Sequence, residues 1–137
     1  MVWQMTLKHK VRINVGIVSS NRSEDLQPER YRILTTKSNQ MLSSLIYGAS
    51  SIDETIRRIV EEHVKVHYEW LDVKLVDVKR YVIEEDSSHE VAIYYVAHVP
   101  YQIEKLKGKW ITLKELIDKE EKIDEHFYKI LSHSNSF

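Results

Sequence analysis

The 137-residue chain carries 20 Lys and Arg against 21 Asp and Glu, a formal net charge of −1 that singles out neither nucleic acid nor an anionic membrane as a partner. Hydrophobic residues make up 42% and charged residues 30%, the balance of an ordinary globular protein of one domain, large enough to bury a core without staples. The absence of cysteine excludes disulfides, thiolate zinc sites and a cysteine nucleophile, and fits a reducing compartment.

From the N-terminus, the opening MVWQMTLKHK has no apolar run of signal-peptide length, and no later segment nears the ~20 apolar residues of a membrane span. A cytoplasmic location without a membrane partner is the expectation. Residues 11–18 (VRINVGIV) alternate, with Val11, Ile13, Val15 and Ile17 on one face, the period of a strand. The polar run 19–29, which contains Pro28, reads as a loop. Residues 30–37 (RYRILTTK) resume strand character and are expected to pair with the first strand through a long hairpin. Residues 38–48 have no clear period and read as an irregular connection into a helix.

That helix has a defined start, because Ser51 and Glu54 stand at capping-box spacing. Ile52, Ile56, Ile59, Val60 and His63 share one face of it, and Glu54, Arg58, Glu61 and Lys65 lie opposite. Around Trp70 the period returns to two: Val73, Leu75, Val78, Tyr81 and Val82 predict a strand with a bulge, and 84–90 (EEDSSHE) a hairpin loop. Residues 91–99 (VAIYYVAHV) are apolar on both faces, as in a central strand, and Pro100 ends them. After a polar loop around Gly108, 110–117 (WITLKELI) starts a short helix with Thr112 as cap and Glu115 at capping-box distance. A last helix spans about 123–131, with Ile123, Phe127, Ile130 and Leu131 on its apolar side, and 132–137 read as a frayed tail. With no internal repeat or interdomain linker, one domain over 1–137 with a core of about 9–131 is expected, an α/β/α sandwich with a mixed β-sheet between the first helix and the C-terminal helices.

The stretch 48–66 (GASSIDETIRRIVEEHVKV) resembles the Nudix box, whose family pattern is G-x5-E-x7-R-E-U-x-E-E-x-G-U with U apolar. Aligned on the paired glutamates, Arg57 matches the box arginine, Ile59 the apolar U, and Glu61 and Glu62 the metal-binding pair. HEVAIYYVAHV, GKWITLKELI and DEHFYKIL resemble the family's following strand, its tryptophan-plus-helix segment and its terminal helix, so the likeness covers most of residues 9–131. The departures are as specific: Ser43 stands at the first glycine, Ala49 at the first glutamate, Arg58 at the glutamate after the arginine, and Val64 at the late glycine. A one-residue slip would put Ile59, Glu62 and His63 at the ligand positions instead.

The resemblance implies a Nudix-type pyrophosphohydrolase acting on a nucleoside diphosphate derivative. It implies Mg2+ or Mn2+ on Glu61 and Glu62, which are also the catalytic residues, in a metal site impaired or rearranged by Arg58 and Ala49 at acidic box positions; Arg57 and Arg58 bind substrate, and many relatives pair as homodimers. Pyrophosphate cleavage needs divalent metal to neutralise phosphate oxygens and to generate hydroxide, and magnesium takes carboxylate, water and phosphate oxygens. Arg58 puts a guanidinium where the box has an acid. At ~4 Å and an effective dielectric near 20, two unit charges repel by about 4 kcal/mol, and a divalent ion doubles that. Guanidinium also forks onto phosphate oxygens. The alternative is therefore a non-catalytic Nudix-fold module that binds a nucleotide diphosphate or serves as a protein-interaction domain.

Blander readings attach to the same residues. Arg57 with Glu61, and Glu54 with Arg58, have the i,i+4 spacing of ordinary solvated helix pairs. His63 and His67 stand four apart, but His63 reads as a core histidine rather than half of a metal pair. Glu84, Glu85, Asp86 and Glu90 read as a solvated hairpin tip, with Glu85 or Glu90 as the alternative external base. Tyr94 and Tyr95 suit core or ligand wall, and Ser43, Ser44, Ser50 and Ser51 suit caps and turns.

Overall fold

The structure, a computed structural model, describes residues 9–19, 32–46, 50–83, 88–100, 102–112 and 114–115. The predicted loop at 19–29 beyond its first residue, the helix at 123–131 and the tail at 132–137 lie outside the described residues. The helical layer expected on the second face of the sheet falls largely on those positions.

Among the described residues, six strands and one α-helix follow in the order β1 (His9–Ser19), β2 (Arg32–Thr35), β3 (Leu42–Leu45), α1 (Ile52–His63), β4 (Asp72–Ile83), β5 (Ser88–Val99) and β6 (Lys109–Thr112). The strands form one mixed sheet in the order β4-β5-β1-β2-β6, with β3 also on β1. β1 is the spine. Along one edge it runs parallel to β5 from His9↔His89 to Ser19↔Val99. Along the other, its first half pairs antiparallel with β3 (Arg12↔Leu45 to Val15↔Leu42) and its second half with β2 (Ile17↔Leu34 to Ser19↔Arg32). The expected pairing of the first two strands is present.

This position explains why one-sided alternation understates the burial of β1. Every residue from Ile13 to Ser19 is buried. Ile13, Val15 and Ile17 pack with Leu34, Leu42, Ala97 and Val99 of the sheet and with Ile56, Ile59 and Val60 of α1. Alternation turns Asn14, Gly16 and Val18 to the second face, with Tyr94 and Val96 of β5 beside the first two.

Two strands depart from the expectation. β3 falls inside the stretch without a period, since four residues with two serines carry no legible alternation. β6 occupies Lys109–Thr112, where the sequence predicts the start of a helix, because β2 takes it in antiparallel register from Arg32↔Thr112 to Thr35↔Lys109. Gly108 makes this entry possible: its φ is +87, and a Cβ there would meet the Thr35 carbonyl oxygen at 2.5 Å. The Thr112 cap is nevertheless present: the Glu115 amide donates to Thr112 Oγ1 at 3.1 Å and the Thr112 amide to Glu115 Oε1 at 3.4 Å. The predicted bulge in β4 is a register shift between Leu75 and Asp77, and Trp70 ends a short 3-10 turn, Tyr68–Trp70. β5 begins at Ser88, so residues 88–90 of the expected hairpin loop belong to a strand.

α1 starts where its capping residues place it, with the Glu54 amide donating to Ser51 Oγ at 3.1 Å. Its buried residues are Thr55, Ile56, Ile59, Val60 and His63. Ile52, placed on the apolar face by its spacing, is instead 38% exposed, because it opens the helix and overhangs the core. Thr55 is buried in its place, and its hydroxyl donates to the Ser51 carbonyl at 2.9 Å. The helix stops at His63; Val64 is extended, and the Lys65 amide turns away to the Glu104 carbonyl at 2.9 Å.

Candidate ligand site on the exposed face of the helix

The apolar stripe of α1 is held to the sheet, so the opposite residues face solvent together. Glu54, Arg57, Arg58, Glu61 and Glu62 line one open depression of about 450 Å³. The four residues expected to form the site are thus brought together, and Glu54 joins them.

Within the depression the two arginines have different partners. Arg57 donates through Nε to Glu61 Oε1 and lies 3.0 Å through Nη1 from Glu69 Oε1 of the 3-10 turn. These contacts, Glu61 first, push the Arg57 guanidinium further above its ordinary value. Tyr68 fastens the same turn to α1 by donating from its hydroxyl to Asp53 Oδ1 at 3.1 Å. Burial, and then the Asp53 charge, push its phenol up to about 12. Arg58 leans the other way and donates from Nη2 to Ser44 Oγ of β3 at 2.6 Å.

Other expected candidates separate from this group. His63 is buried and its Nδ1 lies 2.6 Å from the Ile59 carbonyl, the position of a core histidine. Because the chain is extended after His63, His67 does not share a helical face with it. The slipped box would place ligands at Ile59 and His63, both in the interior. Glu90 is not at a hairpin tip: it lies in β5 and pairs with Arg12 Nε at 2.9 Å. Glu84, Glu85, Asp86 and Ala49 lie outside the described residues. Tyr94 is buried on the second face, whereas Tyr95 packs half-buried on the α1 side, where burial raises its phenol. Glu69 could not be anticipated, since nothing in its spacing ties a residue beyond the helix to Arg57.

The donor set can be tested against a divalent ion. One oxygen of Glu61 is committed to Arg57, and among the described residues no three His, Cys, Asp or Glu side chains come together as ligands. These residues do not fit a resident metal as they stand.

No family model and no curated protein match the chain. Solved structures do. The Nudix domain of Shewanella oneidensis NrtR, complexed with ADP ribose, superposes with a TM-score of 0.61 at 13% identity, over 93% of this chain and 88% of that one. This chain has the Nudix fold. The C. elegans Ap4A hydrolase matches with a TM-score of 0.59 at 11% identity, over 94% of this chain and 97% of that one. The C-terminal domain of mouse MUTYH, solved in complex with human PCNA, gives 0.63 at 8% identity, over 95% and 92%. Identities this low establish the Nudix architecture and leave the chemistry to the site itself.

Proposed function

We propose that this chain is a Nudix-fold domain that holds a nucleoside diphosphate linked to another moiety, gripping the diphosphate with Arg58 and Arg57 at the exposed face of α1. The observation that carries the reading is the arrangement of Arg58, whose guanidinium reaches from α1 to Ser44 of β3. Alignment on the paired glutamates puts this residue where the box has an acid. Guanidinium pairs with phosphate oxygens by charge-assisted hydrogen bonds, and a fork already anchored at one nitrogen loses less freedom on binding. The ADP ribose held by the NrtR Nudix domain supports a ligand of this class.

A metal-dependent hydrolase is the second reading. It is favoured by Glu54 and Glu62, which share the depression with Glu61 while Arg58 reaches over to Ser44. Its Mg2+ or Mn2+ would need the ligand's own phosphates to complete a shell that Glu61 and Glu62 begin. A cytoplasmic location and a homodimer belong to the same proposal. One experiment separates the readings: calorimetric titration with ADP ribose and with pyrophosphate, then turnover assays with Mg2+ or Mn2+. Turnover is read as AMP and ribose 5-phosphate from ADP ribose, and as inorganic phosphate from pyrophosphate. Binding without turnover is the expected result. Turnover would establish the hydrolase, and no binding of either compound would overturn both readings.

A further inference from the structure

The chain leaves α1 into a short ladder that soon opens. Val64 and Lys105 form an isolated antiparallel bridge, flanked by the Lys65 amide on the Glu104 carbonyl at 2.9 Å and the Leu106 amide on the His63 carbonyl at 2.8 Å. Beyond Lys65 and Glu104 the pairing stops, and the Ile103 amide turns back to the Pro100 carbonyl at 3.1 Å. A cleft of about 580 Å³ lies where the two segments part, lined by 65–67 on one side and by 100 and 102–104 on the other. Small-molecule sites span roughly 300–1,000 Å³, so the volume suits one. None of its residues lines the depression on α1. Val66 and Ile103, partly buried against the core, join Pro100 to give the cleft its apolar surface.

The charges on its two sides are opposite in sign. Lys65 belongs to one side and Glu104 to the other, with 3.9 Å between Nζ and Oε2, and both side chains are largely exposed, so the contact is weak. Lys105 and Lys107 of the same connection do not line the cleft, and Lys105 Nζ donates to the Gly108 carbonyl at 2.9 Å. The acids nearest in sequence are placed elsewhere: Glu62 lines the α1 depression, Glu69 pairs with Arg57, and Asp72 is in register with His98. His67 adds an imidazole on the side of Lys65, and Gln102 an amide on the side of Glu104. A purely anionic ligand would meet Glu104, and a purely cationic one Lys65. A zwitterion avoids both conflicts: its carboxylate faces Lys65 and its ammonium Glu104, so four charges alternate in sign with the existing pair intact. We infer that this cleft binds a free α-amino acid with a large apolar side chain. Its two charged groups meet Lys65 and Glu104, and its side chain meets Val66, Pro100 and Ile103. Burial of the side chain supplies most of the affinity, and the exposed charges select the zwitterion. The site goes beyond the proposed function and does not rest on it.

The test removes one recognised group at a time from the probe. L-phenylalanine, N-acetyl-L-phenylalanine, L-phenylalaninamide and glycine are titrated into the intact 15N-labelled protein and followed by NMR. The last three lack, in turn, the ammonium, the carboxylate and the apolar side chain. Phenylalanine is expected to shift the backbone amides of 65–67 and 102–104, and to bind more tightly than each of the others. Lys65→Gln and Glu104→Gln replace largely exposed side chains, so the fold should tolerate both. Each should weaken phenylalanine about two- to fivefold, the effect of one exposed ion pair. Glu104→Gln should also erase the preference over the N-acetyl compound, and Lys65→Gln the preference over the amide. The inference is overturned if phenylalanine shifts none of these amides, if any of the three other probes binds as tightly, or if either substitution leaves its affinity unchanged. Pyrophosphate titrated into the same variants reads the grip at Arg58 separately, and its affinity should not change.

Discussion

Arg58 Nη2 donates to Ser44 Oγ at 2.6 Å, joining the exposed face of α1 to β3. A guanidinium at that point repels cations and attracts phosphate, so replacing it should move the two affinities in opposite directions. Arg58→Glu is expected to weaken pyrophosphate binding about tenfold or more, the value of one charge-assisted hydrogen bond, and to raise Mn2+ affinity. Calorimetry with each ligand checks both. Unchanged Mn2+ affinity would count against the alignment that places Arg58 at a box acid.

Ser44→Ala isolates the anchor from the charge. The guanidinium stays but loses its fixed partner, so the ligand must order it on binding. A loss of pyrophosphate affinity of about two- to fivefold is expected, smaller than for Arg58→Glu, with no change for Mn2+. Equal effects of the two substitutions would mean that Ser44 itself meets the phosphate.

Arg57 bridges Glu61 and Glu69 with all three side chains well exposed, so solvent screens both pairs. Glu69→Gln should leave the denaturation midpoint almost unchanged. It should also free one arm of Arg57 and strengthen pyrophosphate binding modestly. Chemical denaturation and the same titration read the two effects, and a weakened affinity would show that Glu69 positions Arg57 rather than competing for it.

Much of this was legible in the sequence, for identifiable reasons. Ser51, Ile56, Ile59 and Val60 give α1 a cap and a 3.6-residue stripe that tertiary contacts reinforce, so the helix and its solvent face follow from local pattern. β1 and β5 are long enough for their period to show. β3 and β6 are not: at four residues each, their strand character comes from the free edges of β1 and β2 that they cover. The grouping of Arg57, Arg58, Glu61 and Glu62 is helical arithmetic, whereas their partners Ser44 and Glu69 come from separate elements and follow no local spacing. Asn14 is the reverse case, a polar residue in an apolar run whose burial appears only once β3 and β5 flank it.

Ile59 is 3% exposed and packs in the core between α1 and β1. Ile59→Ala should cost about 2–5 kcal/mol through lost burial and the cavity left behind. A cost below about 1 kcal/mol on chemical denaturation would mean that the α1 interface collapses to fill the space.

Tyr68 gives an alkaline prediction whose sign can be worked out. Its phenol is raised to about 12 in the folded chain, by burial first and by Asp53 second, from an ordinary value of 10.0. Above about pH 10 the unfolded chain releases this proton while the folded chain keeps it, so unfolding becomes progressively more favourable as the pH rises towards about 12. Below about pH 10 both states are protonated and the group contributes no pH dependence. Tyr68→Phe removes the ionisation together with the bond to Asp53, and should flatten the part of the alkaline stability loss that Tyr68 contributes across that interval. Denaturation midpoints measured there for both proteins provide the check, and parallel curves would show that Tyr68 titrates at its ordinary value.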